Sequence, residues 1–280
     1  MTQDPLPSAT QRAVDIQEIR KAFGTNVVLD RVDLCLDRGE VLALLGANGS
    51  GKTTLLRILA TLLRPSSGRG RVAGFDLLKD VDGIRRRVGL LAHGSYVYED
   101  LTAEENLRFW RTMAGLPADG GAIRKALAAV ELEAVAGERA RTFSSGMKRR
   151  LALARALLGA PALLLLDEPF AGLDQRGKKW LEETLLTFKE KGGAVLMATH
   201  SFGRGLGIAD RVAILAGGRI VVDRQRASLG LEELHRLYAL HTEEFSEGGS
   251  APTQAFGPGT RIPPPEGCTG KAGSRTAEKR

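Results

Sequence analysis

The segment Gly46-Ala47-Asn48-Gly49-Ser50-Gly51-Lys52-Thr53 combines small, turn-forming residues with one cation and one hydroxyl, and Thr54 follows it. Glycines allow successive backbone N–H groups to curl round an oxyanion, and a helix opening at the end of the loop adds its positive pole. In such a loop Lys52 reaches the β- and γ-phosphates of a nucleotide, and the Thr53 hydroxyl is a ligand for Mg²⁺. A second set of candidate groups closes the run Leu163-Leu164-Leu165-Leu166-Asp167-Glu168. Asp167 can hold Mg²⁺ through water, and Glu168 can act on an attacking water. Taken alone, an acidic pair after a strand is more commonly the start of a loop. Joined to a phosphate-binding loop, it reads as the acidic partner of that loop.

Groups so far apart in sequence need a scaffold that brings them together. Short apolar runs at residues 41–45, 163–166 and 194–199, the first followed by a helical pattern over 52–63, imply a largely parallel sheet covered on both faces. Residues 14–19 and 27–36 alternate like exposed antiparallel strands. Residues 212–215, Gly217-Gly218 and 220–222 read as a hairpin. Between about residues 94 and 159 strand signals disappear, and Thr102-Ala103-Glu104-Glu105 is a capping box opening an amphipathic helix that carries Leu107, Trp110 and Arg111. The expected fold class is therefore α/β: a mixed sheet core with an antiparallel β subdomain and an inserted helical subdomain. Domain organisation follows from composition as a flexible N-terminus over 1–13, one nucleotide-binding domain over 14–245, and a disordered tail over 246–280. The tail is rich in Gly, Pro, Ser and Thr and is stiffened at Pro263-Pro264-Pro265.

Bulk composition narrows the function classes. Apolar residues form 43% of the 280-residue chain and aromatics only 5%, so the core is aliphatic. The net charge of +7 is spread along the chain, which reads as a solvated basic surface, and no nucleic-acid partner is expected. Cys35 and Cys268 have no metal-site spacing, and a reducing cytoplasm is the simplest compartment. No basic start precedes an apolar stretch at residues 1–10. The longest uncharged apolar run, 156–166, is broken by Gly159 and Pro161 and falls short of the roughly 20 residues that span a bilayer. The chain is thus expected neither to enter nor to cross a membrane by itself.

One further segment makes the reading specific. Phe143-Ser144-Ser145-Gly146-Met147, followed by Lys148-Arg149-Arg150 and lying just upstream of Asp167, resembles the signature segment of ABC ATPases. The chain is similar to that family also at Phe23, at Gly172-Leu173-Asp174 and at Thr199-His200, and the resemblance covers roughly residues 14–238. It implies a P-loop NTPase of ABC type that binds and hydrolyses ATP with Mg²⁺. Phe23 would stack on adenine, His200 would be the switch histidine on the γ-phosphate, and Asp174 would lie in a coupling loop. By themselves these residues have plainer readings: Phe23 as a core aromatic, His200 as a satisfied strand-end histidine, and Ser144 as a helix N-cap. The resemblance further implies a head-to-tail dimer. Each ATP would lie between Lys52, Thr53, Asp167, Glu168 and His200 of one subunit and Ser144, Ser145 and Gly146 of the other. Departures from the family pattern are Ser145 where Gly is usual, Met147 where Gln is usual, and His93 where Gln is usual.

Single-domain length fits a transporter ATPase rather than a translation or repair protein, and the presence of Glu168 and His200 argues against a scaffold with little turnover. Such an ATPase works with separate integral membrane subunits, on the cytoplasmic face of the cell membrane. Residues 89–107, with His93 nine positions before Thr102, and residues 201–206 resemble the ATP-binding subunits of the haem exporter of cytochrome c maturation. ATPases that export drugs, lipids or polysaccharides share much of this pattern and are the alternative. His93 has two readings: packing or capping at the subdomain junction, or sensing of the γ-phosphate or Mg²⁺ and passing of that state to the helix from Thr102.

Overall fold

The computed structural model describes residues 12–243 except 93, 95, 96 and 118. His93, the expected tail and most of the expected flexible N-terminus lie outside the described residues. The elements run β1 (Val14–Phe23), β2 (Asn26–Leu36), β3 (Val41–Leu45), α1 (Lys52–Leu59), β4 (Ser67–Val72), β5 (Phe75–Asp76), α2 (Val81–Arg87) and β6 (Val88–Leu91). They continue α3 (Ala103–Met113), α4 (Gly120–Ala129), α5 (Ser145–Leu157), β7 (Leu163–Asp167), α6 (Gln175–Glu190), β8 (Ala194–Thr199), β9 (Arg211–Ala216), β10 (Arg219–Gln225) and α7 (Leu231–Glu243).

Two sheets result. β2, β1, β4 and β5 form an antiparallel sheet in that order. The other has the order β10-β9-β3-β8-β7-β6, parallel throughout except for the β9–β10 hairpin at its edge. Every residue of β3, β7 and β8 is buried, because both faces of the parallel sheet are covered. Alternation then splits each strand between two cores. Leu42, Leu44, Leu163, Leu165 and Leu196 pack towards the antiparallel sheet and α1, while Val41, Leu45, Leu164, Leu166 and Val195 pack with α5, α6 and α7 residues such as Leu153, Leu181 and Leu234. Fully burying one Leu side chain contributes about 1.5–3 kcal/mol.

Among the described residues of 94–159 there is no strand, only an isolated bridge between Thr102 and Arg139. α3, α4 and α5 share their own core of Ala103, Leu107, Ile123, Leu127 and Leu151. The capping box forms: Thr102 Oγ1 accepts from Glu105 N at 3.1 Å and Glu105 Oε2 accepts from Thr102 N at 2.8 Å. Two boundaries differ from the sequence expectation. The helix expected over 52–63 ends at Leu59, because Thr61 turns left-handed (φ 58) and Leu62 N closes back on Arg57 O at 2.8 Å. Pro65 then keeps the preceding residue out of helical geometry. Order also begins before Val14, since Ala13 is buried and its N–H donates to Leu36 O at 2.7 Å.

Candidate functional site

Parallel strands place their carboxyl ends on one edge of the sheet, and the register here aligns three of them. Leu45 pairs with Thr199, and Asp167 pairs with Ala198. The loop after β3, the acidic pair ending β7 and the Thr199-His200 step ending β8 therefore meet, at the edge where open α/β sheets bind ligands. They line a cleft of about 340 Å³ with Asn48, Gly49, Gly51, Lys52, Thr53, Thr54, Asp167, Glu168, His200 and Val28.

Backbone constraint shapes the loop. Gly51 has φ 105, and a Cβ there would lie 2.7 Å from Leu29 Cδ2, so only glycine can close the turn into α1. A Cβ at Gly46 would meet Ser50 Oγ at 2.5 Å and the Leu215 carbonyl at 2.6 Å. Lys52, 7% exposed, folds back so that its Nζ donates to Gly46 O at 2.7 Å and Ala47 O at 3.0 Å. Burial pushes its ammonium below the usual lysine range, and the nearby Glu168 and Asp167 carboxylates oppose that shift. Thr53 Oγ1 donates to Asp167 Oδ2 at 2.7 Å. A hydroxyl and a carboxylate oxygen this close form a hard-oxygen pair suited to Mg²⁺, an ion usually held by one or two protein oxygens together with substrate phosphates.

Glu168 is held on three sides. Thr199 Oγ1 donates to its Oε2 at 3.0 Å, the His200 backbone N–H donates to its Oε1 at 2.9 Å, and His200 Nδ1 lies 2.6 Å from the same oxygen. Its backbone N–H donates to Ala198 O at 2.9 Å, with φ at 48. The result is a carboxylate fixed at the mouth of a phosphate-binding loop, the placement a water-activating group needs.

The other expected site residues sit elsewhere. Phe23 is 51% exposed at the end of β1 with Lys21 Nζ 4.9 Å from its ring centre, so it is not a core aromatic, and it does not line the cleft. Ser144 caps α5, its Oγ accepting from Met147 N at 3.2 Å, and Ser144, Ser145 and Gly146 also lie outside the cleft lining. Asp174 caps α6, its Oδ1 accepting from Gly177 N at 2.7 Å. Two participants are not singled out by the sequence reading. Val28 reaches the cleft from the neighbouring sheet. Arg149 donates to the carbonyls of Asp167 and Pro169 at 3.0 and 3.3 Å, and to that of Glu168. A run of three basic residues at the start of a helix was the available signal, since helical geometry cannot leave all three facing water in the same direction.

Among the described residues no helix is long and apolar enough to cross a membrane. Residues 29–171 match the family model described as "ABC transporter". The daunorubicin resistance ATP-binding protein DrrA3 of Streptomyces coeruleorubidus is 35% identical over 213 residues, 75% of this chain and 67% of that protein. The doxorubicin resistance ATP-binding protein DrrA of Mycobacterium tuberculosis is 34% identical over 75% of this chain and 65% of its own length. A Nod factor export ATP-binding protein I of Cupriavidus pinatubonensis is 33% identical over 78% and 68%. The matched stretch thus spans about two thirds of these relatives' length. Among solved structures, an ATP-binding subunit of an ABC transporter superposes with a TM-score of 0.71 at 29% identity, covering 84% of this chain and 98% of that one. The dimeric ATP-binding cassette MJ0796 bound to ADP and Pi gives 0.70 at 26%, covering 76% and 98%. With the phosphate-binding loop, the acidic strand end and these likenesses together, the chain belongs to the ABC transporter family and is an ATPase of that family.

Proposed function

We propose that the chain hydrolyses ATP to drive an exporter built from separate membrane subunits, with cargo of the drug, lipid or polysaccharide class. The observation that carries the reading is Glu168, triply held by Thr199 and His200 in the same cleft as Lys52 and the Thr53–Asp167 pair. ATP entering the loop replaces the Gly46 and Ala47 carbonyls on Lys52 Nζ with β- and γ-phosphate oxygens. Thr53 and Asp167 would hold Mg²⁺, which when bound neutralises phosphate charge. Glu168 orients a water towards the γ-phosphorus and takes its proton as the new P–O bond forms and the bond to ADP breaks. His200, tied to Glu168, offers its imidazole to the γ-phosphate, and Phe23 offers an exposed face to adenine.

A second copy, docked head to tail, supplies Ser144, Ser145 and Gly146 to each nucleotide. The α5 N-terminus is an anion-binding end, and one similar solved cassette is a dimer. Membrane subunits complete the exporter and hold the chain on the cytoplasmic face. The nucleotide-binding domain is the unit expected over residues 14–245, extended at its start by the packed Ala13. Drug resistance and Nod factor export are the functions named in the relatives above, which favours the broad exporter reading over the haem exporter that residues 89–107 resemble.

Purified protein should turn over ATP only with a divalent cation, and Lys52→Ala should lose nucleotide binding. In the source organism, a strain lacking the chain should gain sensitivity to amphipathic antibiotics, restored by the parent chain and not by Glu168→Gln, with its c-type cytochromes unchanged. Loss of c-type cytochromes with unchanged drug sensitivity would return the haem reading.

A further inference from the structure

Lys148, Arg149 and Arg150 begin the same helix and go to different places. Lys148 Nζ pairs with Glu99 at 2.5 Å, and Arg150 pairs with Glu131 at 2.5 Å while lying over the Trp180 ring. Arg149 turns inward. Its Nη2 donates to the Asp167 carbonyl at 3.0 Å and to the Glu168 carbonyl, and its Nε donates to the Pro169 carbonyl at 3.3 Å. One side chain thus bridges the carbonyls of three successive residues where β7 ends. Burial pushes the guanidinium below its usual range, with Asp167 and Glu168 opposing the shift. A side chain in that position carries a desolvation cost, so its contacts should be specific ones.

The backbone it holds is unusual. Glu168 is a non-glycine residue at φ 48, a region such residues occupy only when their surroundings over-determine it. Ala198 O fixes its N–H at 2.9 Å, and Ala171 N donates to its carbonyl at 3.1 Å. Arg149 supplies the remaining restraint from outside the strand and its loop. A planar guanidinium with several N–H groups in fixed directions can serve three carbonyls at once, whereas a lysine ammonium is a single point donor on a flexible stem.

We infer that Arg149 is a positioning residue: it locks the left-handed Glu168 backbone so that the carboxylate stays on Thr199 and His200 at the cleft. In doing so it ties the water-activating group to α5, the helix whose N-terminus carries Ser144, Ser145 and Gly146. This rests on the hydrolytic role proposed for Glu168. In a head-to-tail dimer, the helix that touches the partner's nucleotide would then be bonded to the catalytic strand of its own chain. The two ATP sites would be linked through one side chain.

The full chain carrying Arg149→Gln or Arg149→Lys should be compared with the parent for kcat, KM for ATP, affinity for a fluorescent ATP analogue, and melting temperature. Both variants should lose about tenfold or more in kcat with KM and analogue affinity within about twofold, because the phosphate loop is untouched while the carboxylate is misplaced. Lysine keeps the charge without the fork, so it should not restore turnover. Parent-like kcat in both variants, or a fall in kcat matched by an equal loss of analogue affinity, would overturn the assignment. If Arg149→Gln does not fold, Arg149→Lys decides by the same criteria. Glu168→Gln, measured alongside, separates the two ideas: if it turns over like the parent, the hydrolytic reading itself fails. If it is inactive while both Arg149 variants work normally, only the positioning role fails.

Discussion

Glu168 and His200 meet through one carboxylate oxygen: Oε1 accepts the His200 backbone N–H at 2.9 Å and lies 2.6 Å from His200 Nδ1. When the Glu168 oxygen accepts in this contact the hydrogen is on Nδ1, and Nε2 is the second functional atom of the imidazole. The backbone contact survives truncation of the side chain, so Glu168 would remain anchored in His200→Ala. That variant should bind ATP with near-parent affinity and lose about 10²-fold or more in kcat, the scale of a lost donor to charge that develops in the transition state. Steady-state turnover beside equilibrium binding of a fluorescent ATP analogue checks it, and parent-like turnover would remove His200 from the reaction.

Ser144 has two separable jobs, one in its own helix and one proposed for the second copy. Its Oγ caps α5 at Met147 N, a contact whose loss costs about 1 kcal/mol. Ser144→Asp keeps an N-cap acceptor but places a negative charge where a γ-phosphate would sit. The melting temperature should hold within a few degrees while ATP hydrolysis falls about tenfold or more from charge repulsion. Full hydrolysis in Ser144→Asp would mean that this helix end meets no nucleotide.

Periodicity and residue type carried most of the fold. The expected strands over 41–45 and 194–199 coincide with β3 and β8, because continuous apolar runs of that length have few alternatives once both faces are buried. The end of α1 was less legible, since the left-handed turn at Thr61 follows from the chain having to reach Pro65 and β4. The cleft-lining Lys52, Thr53, Asp167, Glu168 and His200 all stood out in sequence, as each ends or follows a buried strand. Arg149 did not, because three neighbouring cations look alike until the packing of α5 against β7 decides which one turns inward. Thr199 stood out only as the neighbour of His200, and its hold on Glu168 depends on the β7–β8 register.

A pH dependence follows from a charge pair on β9 and β10 that does not line the cleft. Asp223 is 8% exposed on its side chain, and Arg211 Nε lies 2.7 Å from its Oδ1 in a buried ion pair. Burial holds the Asp223 carboxyl above its ordinary range, with Arg211 opposing the shift. The folded state therefore binds this proton more tightly than the unfolded chain does. Its contribution favours folding below the ordinary Asp value of about 3.9 and is lost as pH rises through the raised folded value. Asp223→Asn removes that dependence, so the stability of the variant relative to the parent should rise as pH increases above the ordinary Asp value of about 3.9. Urea unfolding of both proteins at several pH values measures it, and a relative stability that fell with pH would show that Arg211 stabilises the ionised form.

In the mechanism proposed for this chain, Glu168 activates the attacking water while the phosphate loop binds ATP independently of it. The most direct measurement is steady-state ATP hydrolysis by Glu168→Gln, with nucleotide affinity and sedimentation of the ATP-loaded protein recorded on the same sample. Glutamine keeps the shape: its Oε1 can still accept from the His200 donors while its NH2 group replaces the oxygen facing the Thr199 hydroxyl and can donate to it, yet the amide cannot take a proton from water. The expected result is near-parent ATP affinity, turnover reduced by about 10²-fold or more, and accumulation of an ATP-bound dimer that the parent chain does not retain. Glu168→Gln that hydrolyses ATP at the parent rate would remove Glu168 as the water-activating group.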